Sequence, residues 1–192
     1  DCRLREHVTV HASTKPDVPT RLGDRVWMMV GSHVAHDCQV GNDVMFVNNA
    51  GLAGHVQVGD RATLAGHAII HQFVRFGRLG FMSAGSAVST DVPPFCIAWG
   101  RNSIVGLNLV GLRRSGVPRD QITVLRRAFR EVLRENLPRA EAVERLREMG
   151  NESPLVMEVA EFVAAGKRPT CPYRNHTSRT REGAEDPGLE LA

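Results

Sequence analysis

The chain has little of what marks several common protein classes. Its 192 residues include only four cysteines, which lie far apart and form no Cys-x-x-Cys pair, so no disulfide framework is indicated. No apolar run is long enough to cross a bilayer, and no signal peptide is recognisable. The net charge of +3 is too small to favour a nucleic acid partner. We therefore expect a cytoplasmic protein with reduced thiols, no transmembrane segment and no nucleic acid partner.

The chain does have a six-residue period. An apolar residue occupies every sixth position, and a smaller residue follows each of them at the fourth position. The apolar positions are Leu22, Met28, Val34, Val40, Phe46, Leu52, Val58, Leu64, Ile70, Phe76, Met82 and Val88. Three such hexads make one triangular coil of a parallel β-helix, with the larger residue inside the prism. Ordinary amphipathic strands would instead alternate with a period of two.

Glycines recur at an interval of 18 residues, once in each predicted coil. They are Gly23, Gly41, Gly59 and Gly77. An interval of three hexads places all four at the same corner of the prism. We expect glycine there because a corner needs the backbone freedom that glycine supplies.

The pattern divides the chain into four segments: a β-helix over 1–94, a connector over 95–116, a helical domain over 117–166 and a disordered tail over 167–192. The hexad phase already holds at Leu4, so we expect further coils upstream. Two prolines interrupt the repeat within 12–20, which we interpret as a surface loop, and Asp91–Pro94 ends the regular coils. Helices are predicted from Pro118 to about Asn136, over 139–149 and over 154–165.

Stacking arithmetic brings several histidines together. Residues 18 apart lie one above another, so His36, Gly54 and Gln72 form one column. A histidine beside an aspartate, as in His36-Asp37, is suited to act as a general base. A glycine beside that base can offer its backbone N–H to a developing oxyanion. No nucleophile motif is present, so the simplest acyl transfer is direct attack by a substrate hydroxyl.

Other interpretations of the histidines are subunit contacts and a metal site. Zinc needs about four convergent ligands with supporting partners, and nothing in the sequence selects such a set. We therefore predict no metal and no cofactor.

Several motifs resemble the UDP-N-acetylglucosamine acyltransferases of lipid A synthesis, over about residues 3–165. They are His33-Val-Ala-His-Asp-Cys38, Asn48-Asn-Ala-Gly-Leu-Ala-Gly-His55, His71-Gln-Phe73, Asp91-Val-Pro-Pro94 and Gly106-Leu-Asn-Leu-Val-Gly-Leu-Arg-Arg114. The resemblance implies a left-handed parallel β-helix, a C-terminal helical domain and a homotrimer. It also implies transfer of a 3-hydroxyacyl chain from acyl carrier protein to the sugar 3-hydroxyl, the first step of lipid A synthesis. On this resemblance, we expect the family's N-terminal coils to be missing from this sequence.

The resemblance also implies roles for individual residues. His36 matches the catalytic base, Asp37 its supporting carboxylate and Gly54 the oxyanion donor. The positions that match substrate contacts are His33, His55, His71, Gln72, Asn108 and Arg114. Ala84 matches the position that ends the acyl-chain groove, and stacking places it above Gly66, which predicts a chain of about twelve to fourteen carbons. Val110 and Ser115 depart from the family pattern in the nucleotide region.

Three arginines on the first predicted helix, Arg126, Arg127 and Arg130, are candidates for docking the acidic carrier protein. The alternative is an ordinary solvated helix face. Two other functions stay open: a related hexapeptide-repeat acyltransferase that uses an amino sugar or acetyl-CoA, and a trimeric β-helix scaffold without activity.

Overall fold

The computed structural model describes residues 1–175, and its first half is a triangular prism of short parallel strands. The strands of the prism are β1 (Arg3–Leu4), β2 (Thr9–Val10), β3 (Arg21–Leu22), β4 (Trp27–Met28), β5 (His33–Val34), β6 (Gln39–Val40), β7 (Met45–Phe46), β8 (Gly51–Leu52), β9 (Gln57–Val58), β10 (Thr63–Leu64), β11 (Ile69–Ile70), β12 (Arg75–Phe76), β13 (Phe81–Met82) and β14 (Ala87–Val88). Two longer strands follow, β15 (Cys96–Ala98) and β16 (Ile104–Leu107).

The strands form three sheets, one for each side of the prism. Sheet A has the order β1-β4-β7-β10-β13-β15-β16, sheet B β14-β11-β8-β5-β2 and sheet C β12-β9-β6-β3. Within the regular coils, paired residues are 18 apart, as in Trp27 with Met45 and Gln39 with Gln57. The apolar column Met28, Phe46, Leu64 is fully buried. The predicted parallel β-helix is confirmed, with the larger hexad residue inside.

The repeated glycines occupy one corner, as predicted, but the physical reason is different. None of the four has a backbone in the left-handed region, which is occupied at this corner by Arg25 (φ 55°), Asp43 (φ 56°) and their equivalents. A Cβ atom on Gly23 would lie 2.6 Å from the carbonyl carbon of Gly41 in the next coil. Glycine is therefore needed because the next coil approaches closely, and the expectation of backbone freedom was wrong.

The repeat is interrupted once, before its second coil. Arg3 pairs with Trp27 and Thr9 with His33, at intervals of 24 instead of 18 residues. The six additional residues lie in the predicted surface loop, 12–20, most of which is exposed. Because the insertion equals one hexad, the inward-facing pattern continues unchanged after it.

The coils continue beyond Asp91–Pro94, where the regular repeat was expected to stop. Val92 bridges to Phe76, β15 pairs in parallel with β13, and Arg101 bridges to Ala87. This last turn is shorter than the others. Strand β16 then pairs antiparallel with β15. The segment 95–116 is thus more than the expected connector, since it also contains the helix α1 (Leu109–Arg114).

The remaining helices are α2 (Arg119–Ala128), which continues into a π-helical turn (Phe129–Leu133), α3 (Arg139–Gly150) and α4 (Pro154–Ala164). The proline at the first position of α4 fits a helix start, where its missing N–H costs nothing. Leu125, Leu146 and Val156 are buried where these helices pack. Within residues 1–175, no helix has the length and apolar character needed to cross a membrane.

Arg75 of β12 and Arg78, at the corner that follows β12, connect the coils to α4. Arg75 donates to Asp91 from Nε at 2.8 Å and to the carbonyl of Phe162 from Nη2 at 2.7 Å. Arg78 forms an ion pair of 2.7 Å with Glu158. Residues 167–175 also pack on the coils, where Thr170 forms a β-bridge with Asp91. This part of the chain was predicted to be a disordered tail. The rest of that predicted tail lies outside the described residues.

Candidate active site

The corner between sheets B and C carries the predicted catalytic column. His36 lies between β5 and β6, Gly54 between β8 and β9, and Gln72 between β11 and β12. The His55 N–H donates to the His36 carbonyl at 3.0 Å, and the Phe73 N–H donates to the Gly54 carbonyl at 3.0 Å. The structure therefore stacks these residues coil upon coil, as the 18-residue interval predicts.

His36 and Asp37 form a hydrogen-bonded pair. His36 Nδ1 lies 2.6 Å from Asp37 Oδ2. The side chain of Asp37 is only 4% exposed, whereas that of His36 is 41% exposed. A carboxylate only accepts hydrogen bonds, so Nδ1 of His36 carries the proton and Nε2 presents a lone pair. This is the tautomer that a general base needs.

Residues of the inserted loop hold the Asp37 carboxylate, and sequence reasoning missed them. Ser13 Oγ donates to Oδ1 at 2.6 Å, Thr14 Oγ1 to Oδ2 at 2.7 Å, and the Thr14 N–H to Oδ1 at 3.1 Å. The hydrogen bonds from Ser13, His36 and Thr14 together hold the pKa of Asp37 well below its usual range. The signal in the sequence was an insertion of one hexad that contains two adjacent hydroxyl residues.

Gly54 lies directly against the His36 ring. A Cβ atom at this position would be 2.6 Å from Cε1 of His36 and 2.8 Å from Nε2. Within residues 1–175, no group accepts a hydrogen bond from the Gly54 N–H. The absence of a side chain therefore gives the His36 ring its space, and the N–H of the same glycine is a free backbone donor.

His55 completes the cluster from the next coil. Its ring stacks on Phe73 at 4.5 Å and meets the His36 ring edge-on at 5.2 Å. Nitrogen and oxygen atoms of His36, Asp37 and His55 lie within 4.8 Å of one another, a spacing that a metal ion also uses. Both oxygens of Asp37 already accept hydrogen bonds from Ser13, Thr14 and His36. The absence of a metal stays a prediction.

Comparisons with known proteins give this cluster its context. Residues 91–171 match the family model described as UDP-N-acetylglucosamine O-acyltransferase, domain 2. An acyl-(acyl-carrier-protein)–UDP-N-acetylglucosamine O-acyltransferase of Alkalilimnicola ehrlichii is 45% identical over 168 residues, which are 86% of this chain and 65% of that protein. The solved UDP-N-acetylglucosamine acyltransferase of Campylobacter jejuni is 34% identical, with a TM-score of 0.77 over 90% of this chain and 71% of that one. The chain belongs to this acyltransferase family.

A second solved relative, the UDP-N-acetylglucosamine O-acyltransferase of Moraxella catarrhalis, is 35% identical, with a TM-score of 0.84 over 88% of this chain and 67% of that chain. The predicted fold class, a left-handed parallel β-helix followed by a small helical region, is confirmed. The chain spans 65% of the length of the curated relative from Alkalilimnicola ehrlichii.

Three further residues expected to contact substrate surround the cluster on sheet B and its corner. His33 Nδ1 lies 2.7 Å from the Thr9 hydroxyl, and burial together with the nearby His11 lowers the pKa of His33. His71 is exposed and lines a small apolar recess of about 180 Å³ on sheet B. Gln72, stacked above Gly54, is also exposed. Both are thus available to a ligand.

The two expected nucleotide contacts lie at opposite ends of α1 and differ in availability. The Asn108 side chain caps this helix, since it accepts from the Gly111 N–H at 2.9 Å and donates to the Leu79 carbonyl at 2.9 Å. A capping role of this kind was not foreseen. Arg114 is exposed, and its guanidinium makes no hydrogen bond within the described part of the chain.

The expected acyl-chain positions lie at a different corner from His36, between sheets A and B. The Gly85 N–H donates to the Gly66 carbonyl at 2.9 Å, which places Ala84 above Gly66 as stacking predicts. A Cβ atom on Gly66 would meet nothing closer than 3.6 Å. The corner is therefore open at both positions.

The candidate docking arginines line an open groove of about 490 Å³ on α2 and the π-helical turn, together with Arg134 and Tyr173. Arg127 pairs with Glu152 at 2.6 Å, and Arg130 contacts Glu131 at 3.3 Å. Arg126 is exposed and forms no ion pair with residues 1–175. Arg126 is therefore the guanidinium of the three that is free for a partner.

Proposed function

We propose that the protein transfers a 3-hydroxyacyl chain from acyl carrier protein to the 3-hydroxyl of UDP-N-acetylglucosamine, the first step of lipid A synthesis. The observation that carries the proposal is the arrangement of His36, Asp37 and Gly54. A histidine held at 2.6 Å by a carboxylate packs against Gly54, whose backbone N–H has no partner in residues 1–175. Membership of the family supplies the substrate class.

The chemistry needs no cofactor. Nε2 of His36 takes the proton of the sugar hydroxyl as its oxygen attacks the thioester carbonyl of the donor. The negative charge develops on the former carbonyl oxygen, where the Gly54 N–H donates a hydrogen bond. Asp37 stabilises the imidazolium that forms. The intermediate then collapses, the thiolate of the carrier leaves, and His36 returns the proton to its sulfur.

The substrate groups are assigned to different corners of the prism. His33, His55, His71 and Gln72 surround the base and are assigned to the sugar nucleotide. Arg114 is assigned to the nucleotide because its guanidinium is exposed, whereas the Asn108 amide is used to cap α1. The open corner at Gly66 and Ala84 is assigned to the acyl chain.

The partners follow from the proposed reaction. The groove of Arg126, Arg127 and Arg130 is assigned to the acidic carrier protein, whose approach it would accelerate at low salt. The protein acts as a homotrimer in the cytoplasm, where its carrier-bound donor is made.

The test is His36→Ala in the complete gene product, assayed with 3-hydroxyacyl carrier protein and UDP-N-acetylglucosamine. We expect turnover to fall by about 10²- to 10⁴-fold, with the oligomeric state unchanged in light scattering. Near-normal turnover in a folded variant would remove His36 from its role. Transfer from acetyl-CoA in place of the carrier-bound donor, or no transfer by the parent protein, would favour the other two functions left open by the sequence.

A further inference from the structure

At this corner, the inserted loop supplies a side-chain acceptor where the regular coils supply a backbone carbonyl. In the next coil, the His55 N–H donates to a backbone carbonyl of the coil below, that of His36, at 3.0 Å. Phe73 repeats the arrangement with Gly54. Asp37 occupies the equivalent position in its own coil, with the same left-handed backbone (φ 62° for both Asp37 and His55). Its N–H donates instead to a side chain, Oγ1 of Thr20, at 2.8 Å.

The loop thus replaces the missing backbone acceptor and surrounds the carboxylate as well. Thr20 holds the backbone of Asp37, while Ser13 and Thr14 supply three donors to its two oxygens at 2.6 to 3.1 Å. His36 supplies the fourth donor. Four hydrogen bonds leave the carboxylate one orientation, in which Oδ2 faces the imidazole.

We infer that Ser13 and Thr14 are positioning residues of the proposed acyl transfer, which act through Asp37 to fix the tautomer and orientation of His36. Their hydroxyls donate to the carboxylate of Asp37 and not to the imidazole of His36. The inference rests on the proposed function for its kinetic consequence, but the arrangement of the ring is a property of the protein alone.

The hydroxyls affect the His36–Asp37 pair in two ways. They prevent rotation of the carboxylate, and they share its negative charge, since each donor lowers the affinity of a carboxylate for protons. Without them, the pair as a unit holds its proton more strongly, and the lone pair at Nε2 is available only at higher pH.

Other charged groups near Asp37 remain in the variants proposed below. His55 faces it from the next coil, with Nε2 at 3.5 Å from Oδ2. The cleft beside Asp37 is also lined by Lys15 of the loop, Arg75 of β12, and the group Asp91, Lys167 and Arg168. None of these supplies a hydroxyl to the carboxylate, so they do not replace the lost donors.

The decisive variant is Ser13→Ala combined with Thr14→Val, which removes both hydroxyls and keeps the volume of Thr14. We expect kcat to fall about 10- to 100-fold with KM changed less than about twofold, and the acid limb of the rate profile to move upward by about half a pH unit. Imidazole ¹⁵N NMR of the same variant should show that the single Nδ1–H form of His36 has become a mixture.

Two matched variants separate positioning from folding. Thr14→Ser retains a hydroxyl and should keep the parent profile, as should Asp17→Asn at the exposed tip of the same loop. A double variant with the parent tautomer and pH profile overturns the inference, whether or not its melting temperature changes. If the parent protein transfers no acyl group, the proposed function fails, and the NMR measurement still decides the role of the loop.

Discussion

The corner between sheets C and A and the corner between sheets B and C repeat one backbone, but they treat the same N–H group differently. At the first corner, the Asp24 N–H donates to Oδ1 of Asn42 at 2.8 Å, and the Asn42 N–H donates to Oδ1 of Asp60 at 2.7 Å. At the second, the equivalent N–H of Gly54 has no acceptor in residues 1–175, although Gln72 lies above it.

The comparison concerns one backbone position. In two coils of the first corner, at Asp24 and Asn42, a side chain from the next coil accepts from this amide. At the corner of His36, the Gly54 amide keeps its donor, which the proposed mechanism assigns to the oxyanion. Asn and Asp have the length that closes this contact, and the longer Gln72 does not close it. Substitutions at these few positions therefore test the proposed chemistry with little change to the fold.

The largest effect is expected from Gly54→Ala. The added Cβ would lie 2.6 Å from Cε1 of His36, so the ring has to move away from the reacting atoms. The backbone of Gly54 is outside the left-handed region, so alanine adds no backbone strain at this position. We expect kcat to fall by about 10²- to 10³-fold.

The measurement is steady-state kinetics with the melting temperature as a check on folding. Gly106→Ala is the matched control, because its added Cβ would meet no atom within 4 Å. Equal activity in the Gly54 and Gly106 variants would show that the space beside His36 is not needed.

Gln72→Asn should create, at the corner between sheets B and C, the side-chain contact that Asn42 makes with the Asp24 N–H. Its side-chain oxygen would accept from the Gly54 N–H as Asn42 accepts from Asp24, which removes the free donor without touching His36. We expect kcat to fall roughly 10- to 100-fold.

Gln72→Ala distinguishes this capping from the loss of a substrate contact. It leaves the Gly54 N–H free, as in the parent protein, so its main effect should be on KM for the sugar nucleotide. If the alanine and asparagine variants lose the same amount of kcat, the Gly54 N–H does not act on the transition state.

The smallest effect is expected at the first corner. Asp60→Ala removes the acceptor of the Asn42 N–H and should lower the free energy of unfolding by about 1 kcal/mol in urea denaturation. Turnover should not change. Asp60→Asn keeps an oxygen at the same position and should lose less stability, and a drop in turnover of either variant would contradict the division between the two corners.

The hexad period predicted most of this arrangement, because a β-helix turns sequence interval directly into position. Because 18 residues make one coil, that interval makes neighbours of His36, Gly54 and Gln72. The interval cannot describe what interrupts it. The contribution of Ser13, Thr14 and Thr20 depends on how a loop folds back, and the capping role of Asn108 depends on where α1 begins. Such contacts are set by tertiary packing, which leaves no periodic trace.

The end of sheet A has a consequence for how the molecule meets others of its kind. A stack of parallel strands presents an edge of unpaired N–H and C=O groups on which another chain can add. Here β16 runs antiparallel to β15, with a shift of register between Ile97 and Ala98. The final strand no longer continues the direction and register of the prism, and part of its edge is already covered, because the Ile104 N–H donates to the Pro172 carbonyl at 2.9 Å. A further parallel coil therefore cannot add to this end of sheet A in the same register.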